Sequence, residues 1–219
     1  MKIIKYKTIF TFFLIIVTQG SSYAIATPEN YTGVVNIENN TINKELEISG
    51  YTSIKNSTLN ASLNHLGEVE ISHSALQNLS SNGITIIEYQ TAIKGSLTAT
   101  GKLRIHDAGV AGETIVNGST VAKNVKFSGN FTGYGYLGSE NSTFKNITIE
   151  GDNVDFIDSR ADSLVIKKPK NPNTVQTVKI TGNSQIANKI TFESGNGQII
   201  THGHLVEIGK VEGASVNRN

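Results

Sequence analysis

Four aspartates follow one another closely, Asp152, Asp155, Asp158 and Asp162. Paired carboxylates are the working parts of glycoside hydrolysis, which needs two carboxyl groups ~5–9 Å apart. The spacing argues against that chemistry. Residues an odd number apart on a straight strand face opposite sides, so Asp155 and Asp158 diverge. In "NVDFIDS", Val154 and Phe156 are the apolar members of an alternating pattern and are expected to turn inward, leaving Asp155 outside. Calcium-loop spacings are absent. Aspartate is ordinarily exposed, so solubilising surface charge is the simpler reading. "THGHL" (201–205) sets His202 and His204 on one strand face, but no third His or Cys lies near to complete a zinc site. No catalytic residue, metal or cofactor is expected.

Two segments remain as candidate contacts for a partner or glycan. "KKPKNPNT" (167–174) holds two of the chain's three prolines and the lysines Lys167, Lys168 and Lys170. Proline cannot donate to a strand ladder, so this segment is expected to leave the sheet as a surface loop. Its lysines suit an acidic glycan, a lipid head group or a partner, against the plainer reading of a solvated loop. The second segment, "GNFTGYGYLG", carries Tyr134 and Tyr136. Aromatic rings on a flat sheet face stack on sugars, or else cover a bulge where a repeat slips.

These residues must be positioned by a repeat. Ile25, Ile42, Leu59, Leu76, Ile93 and Val110 each lie 17 after the last, and Gly33, Gly50, Gly67, Gly101 and Gly118 keep the same period, with Gly83 one place early. A small polar column, Asn40, Ser57, Ser74 and Thr91, shares it. After Gly118 the spacing loosens, although "VKITGNSQI" and similar phrases persist. Within each unit, apolar and polar residues alternate, as in Leu46/Ile48, which is the period of a half-buried strand. The glycine marks a corner reached without a Cβ penalty. The pattern predicts an all-β, single-stranded parallel β-helix (β-solenoid) of about eleven ~17-residue rungs stacked at ~4.8 Å. The small polar column predicts a hydrogen-bonded ladder along the rod. No six-residue sub-period exists, which favours the right-handed form. Hairpin turn signals every ~8–12 residues, as a sandwich requires, are missing. His65 falls where neighbouring rungs carry Ile or Ala, the position of a core or corner histidine. N-x-S/T triplets such as Asn56-Ser57-Thr58 follow from the Asn/Ser/Thr-rich composition.

The glycine-cornered rungs "LEISG…IKNSTL" and "LTATGKLRI" resemble the bactofilin type of parallel β-helix over residues 29–150. Bactofilins are bacterial polymer-forming proteins, so the resemblance implies end-to-end self-association. Known members are mostly cytoplasmic and lack a cleavable leader, and here the chain departs from them. Lys2, Lys5 and Lys7, the apolar run 9–17 and a small-residue end give residues 1–26 the layout of a secretory signal peptide, cleaved after Ala24 or Ala26. The apolar run is shorter than the ~20 residues of a membrane span. Removing it takes three lysines and no acid, leaving a formal charge of −2 on 27–219, with no pull toward nucleic acid. The absence of cysteine excludes disulfide support. The expectation is an exported, non-enzymatic structural or binding module, periplasmic, at the cell surface or secreted, with no membrane span after leader removal. Its partner is another copy of itself or an envelope glycan. The competing class is a carbohydrate-active enzyme or glycan-binding protein on the same fold.

Overall fold

A computed structural model describes residues 14–16, 28–203 and 205–218. The expected leader lies outside them except for Leu14–Ile16, whose backbone pairs in parallel with 34–36. The rest is a parallel β-solenoid of about 11 turns. Strand Leu46–Lys55 is representative: it pairs in parallel with Glu29–Glu38 before it and with Thr58–Ser72 after it. Each rung has three walls. In this one, the first wall (46–49) buries Leu46 and Ile48, and the second (51–55) buries Thr52 and Ile54. The third, short wall (58–59) buries Leu59.

Gly50 joins the first wall to the second. Its column runs in register through Gly33, Gly50, Gly67, Gly83, Gly101 and Gly118. Gly83 is therefore the missing member of the 17-residue series. A bulge between Leu59 and Ser62 shortens the step to Gly83, and the next step, Leu79 to Leu97, makes it up. Gly135 and Gly151 extend the column by stacking on Gly118 and Gly135. Only glycine serves at such a corner for two reasons. Gly67 has φ +124°, and a Cβ there would fall on the Gly50 carbonyl oxygen.

The corner after the second wall keeps a stricter period. Asn39, Asn56, His73, Gln90, Asp107, Asn124, Asn141 and Asp158 recur every 17 residues, all left-handed with φ of 47–58°. Asn and Asp tolerate that conformation best. The next residue is the expected polar ladder, built differently from hydroxyl on hydroxyl. Ser57 Oγ accepts the Asn40 N–H at 3.1 Å and donates to its own rung's Lys55 carbonyl at 2.7 Å. Ser74, Ser142, Ser159 and Ser184 repeat the arrangement. At Ala108 and Val125 the hydroxyl is missing, and an outer ladder, Asn141 to Asn124 to Asp107, runs beside the gap. The buried third-wall column also holds its 17-residue step through Phe127, Phe144 and Ala161. The loosening after Gly118 is thus a matter of the other corners and not of the whole rung.

Leucine and isoleucine fill the early core, and Phe127, Phe131, Phe144 and Phe156 fill the middle. The Phe127 and Phe144 rings stack at 4.7 Å, with Phe131 edge-on to both. Gly133 is inward-facing, and a Cβ there would strike Phe131 and Ile149. The repeat does slip at "FTGYGYLG": Phe131 lies 17 residues after its partner Thr114 but 16 before Ile147, and Leu137 is again 17 before Val154. Phe131–Tyr134 stays in unbroken register with both neighbours.

Candidate functional site

The insertion 167–175 enters at the glycine corner, between first-wall strand Arg160–Ile166 and second-wall strand Gln176–Thr181. Its base is fixed from two sides. Buried Gln176 donates to the Gly151 and Lys167 carbonyls at 2.9 and 2.8 Å. Glu193 takes Lys167 in an ion pair at 2.6 Å and accepts from the Lys168 amide. That pairing holds the Glu193 carboxyl below its usual pKa. The tip is a tight turn, with Asn171 accepting from the Asn173 and Thr174 amides. The loop lies back along the first wall toward earlier rungs. It roofs a groove of about 760 Å³ whose walls include Thr100, Asn117, Tyr134, Glu150, Asp152 and Lys170.

Two of the three expected loop lysines keep free ammonium groups, since Lys168 and Lys170 form no ion pair among the described residues. Tyr134, 46% exposed, stands in the groove and has no hydrogen-bond partner among the described residues. It also borders a smaller hollow of about 300 Å³ with Lys167, Lys168 and Glu193. Tyr136 is two residues away but on another wall, because Gly135 is a corner. Its ring lies over Gly138, and its hydroxyl donates to Asp155 at 2.8 Å. Burial and that carboxylate push its pKa up to about 12. It borders a separate hollow of about 370 Å³ with Val121 and Ile157. The structure thus brings Tyr134, Lys168 and Lys170 to one face and sends Tyr136 to the next.

The four aspartates are dispersed around the rod. Asp152 sits at the groove by the glycine corner, Asp155 faces out from the second wall, Asp158 is at the left-handed corner, and Asp162 is exposed on the third wall. No pair of them shares a face. The carboxylate that does accompany Asp152 is Glu150, in register with Tyr134. Sequence reasoning missed it, although one signal was available: Thr100, Asn117 and Tyr134 each directly precede a corner glycine, and so does Glu150. His202 ends strand Gly197–His202 and is exposed, and His204 lies outside the described residues. Among the described residues, no cluster of three or more His, Asp or Glu is arranged to hold a metal ion. His65 is a core residue, 5% exposed, with Nε2 3.1 Å from Thr52 Oγ1 and Nδ1 without a partner. The triplets Asn56-Ser57-Thr58 and Asn141-Ser142-Thr143 have a structural reason, a left-handed Asn, a ladder Ser and a strand Thr.

The groove brings together an aromatic ring, one ammonium group, two carboxylates, and threonine and asparagine side chains. Against known proteins, the chain matches no family model, no curated protein and no solved structure.

Proposed function

We propose that this chain is an exported, non-enzymatic β-solenoid binding module that holds a cell-envelope or surface glycan in the groove roofed by the 167–175 loop. The observation that carries the reading is that Tyr134, Lys170, Glu150 and Asp152 line one groove, and none of their side chains has a hydrogen-bond or ion-pair partner among the described residues. The ring offers a stacking face for a sugar. The carboxylates and ammoniums offer acceptors and donors to its hydroxyls. Exposed and hydrated in the free protein, these groups can exchange water for a ligand's hydroxyls, at a net gain of about 0.5–1.5 kcal/mol per hydrogen bond.

Purified protein should bind at least one member of a panel of immobilised cell-wall and surface glycans. Tyr134→Ala should weaken that binding about thirtyfold, the effect of losing an aromatic anchor. Tyr136→Ala should leave it unchanged. The same incubations report on catalysis: release of new reducing ends would overturn the non-enzymatic reading and turn attention to Glu150 and Asp152. Fractionation of producing cells should place the protein in the periplasm, at the surface or in the medium.

A further inference from the structure

The groove under the loop does not end where the loop ends. A second hollow, of about 440 Å³, runs from Glu47 to Thr100 along the same first wall. It shares Thr98 and Thr100 with the roofed groove. The roofed groove in turn shares Tyr134 and Glu150 with the hollow beside Lys168. Three hollows are thus one trough along the rod axis, from the rung of Glu47 to that of Glu193. At ~4.8 Å per rung that is roughly 40 Å.

The trough has a chemical character of its own. Across the five rungs from Asn64 to Tyr134, the ten outward positions of the first wall are Ser, Thr, Asn, Leu, Ile and Tyr, without one charge. Asn64 donates to Glu45, and no other side chain in this set is hydrogen-bonded among the described residues. Charges appear at the two ends: Glu47 at the first, and at the loop Lys167, Lys168 and Lys170 against Glu150, Asp152 and Glu193. An acidic polymer would meet no excess positive charge along this path, and a cationic one only the extra carboxylate of Glu47. A polyhydroxylated neutral chain meets matching hydroxyl and amide groups on every rung. The rung spacing is also close to the length of one pyranose unit in an extended chain.

Resting on the glycan-binding reading above, we propose that the ligand is an extended, uncharged polysaccharide lying parallel to the rod along the first wall, clamped at one end between Tyr134 and the loop. Chain length, and not a single terminal sugar, sets its affinity. The test is calorimetric titration of the full protein with neutral glucan, mannan and xylan fragments graded from disaccharide to octasaccharide, beside polygalacturonate fragments of equal length. One neutral series should bind, gain affinity with each added unit through at least the hexasaccharide, and change little with added salt. Ser80→Lys and Asn82→Arg, on exposed positions of the second hollow that lie outside the roofed groove, should each weaken the long fragments about tenfold and leave the disaccharide unaffected.

Affinity that stops growing at two units would overturn the trough and leave the glycan reading standing, as would failure of both substitutions to affect long fragments. Salt-sensitive preference for polygalacturonate would overturn the neutral-ligand assignment. Binding of none of these polymers would overturn the trough, and with a silent glycan panel it would overturn the parent reading too.

Discussion

The first and second walls pass through the same rungs and share the same corner glycines, yet their outer faces differ. From the rung of Gly67 to that of Gly135, the first wall carries no charge, whereas seven of fifteen outward positions on the second wall are Asp, Glu, Lys or Arg. The second wall also pairs some of its own side chains. Tyr51 donates to Glu70, Lys123 pairs with Glu140 at 2.7 Å, and Tyr136 donates to Asp155. On the first wall over the same rungs, only Asn64 among the outward side chains has a hydrogen-bond partner, Glu45, among the described residues. The backbone is common to both, so the difference lies only in which residue types stand at the outward positions. One outer face is charged and partly cross-linked by its own side chains, and the other is polar and uncharged.

The hardest way to break the comparison is to break the joint both walls share. Gly67→Ala adds a Cβ against the Gly50 carbonyl oxygen at a φ that L-residues avoid. It should cost about 3 kcal/mol or more in urea unfolding, and both faces should lose amide protection together. Next is Ser142→Ala, which removes the acceptor for the buried Val125 amide. An orphaned buried donor predicts a loss of about 1–3 kcal/mol, with faster amide exchange at the second-wall corner than on the first wall.

A smaller effect separates the inner sides of the walls. Burial holds the His65 imidazole below its usual pKa. A folded pKa below the unfolded one means that the unfolded chain binds more protons between the two values. The contribution is therefore full above about pH 6.5 and is lost as pH falls from there toward the folded value. The urea midpoint should drop as pH is lowered from 7 to 5, and His65→Val should flatten that slope. The smallest change is Tyr136→Phe. It removes one partly exposed hydrogen bond and should cost about 0.5 kcal/mol at most. Its cleaner readout is ultraviolet titration: Tyr31 and Tyr136 are both pushed up to about 12, and one of these two late ionisations should be lost.

The rung, its corners and its buried columns could be read from spacing, because a stacked rung forces identical positions into register. Gly83 appeared displaced only because the bulge at Leu59–Ser62 and the longer step after Leu79 cancel, and a fixed period cannot register two compensating irregularities. The candidate site was less legible. Alternation puts residues two apart on one face, so Tyr134 and Tyr136 read as a pair until Gly135 is recognised as a corner. The return of the 167–175 loop over earlier rungs depends on Gln176 and Glu193, which hold its base from the walls on either side, and no local pattern encodes that direction. The resemblance to bactofilins stands at the level of the parallel β-solenoid, with no family identified.

The serine ladder has a polarity. Ser57 N–H finds its acceptor on Ser74, Ser142 N–H on Ser159 and Ser159 N–H on Ser184, always on a rung synthesised later. Each hydroxyl's own donation stays within its rung. Removing rungs from the carboxyl end therefore leaves a ladder amide without its hydroxyl at each cut, whereas removing them from the amino end leaves a hydroxyl that still donates within its own rung. The two ends of the rod are chemically unequal.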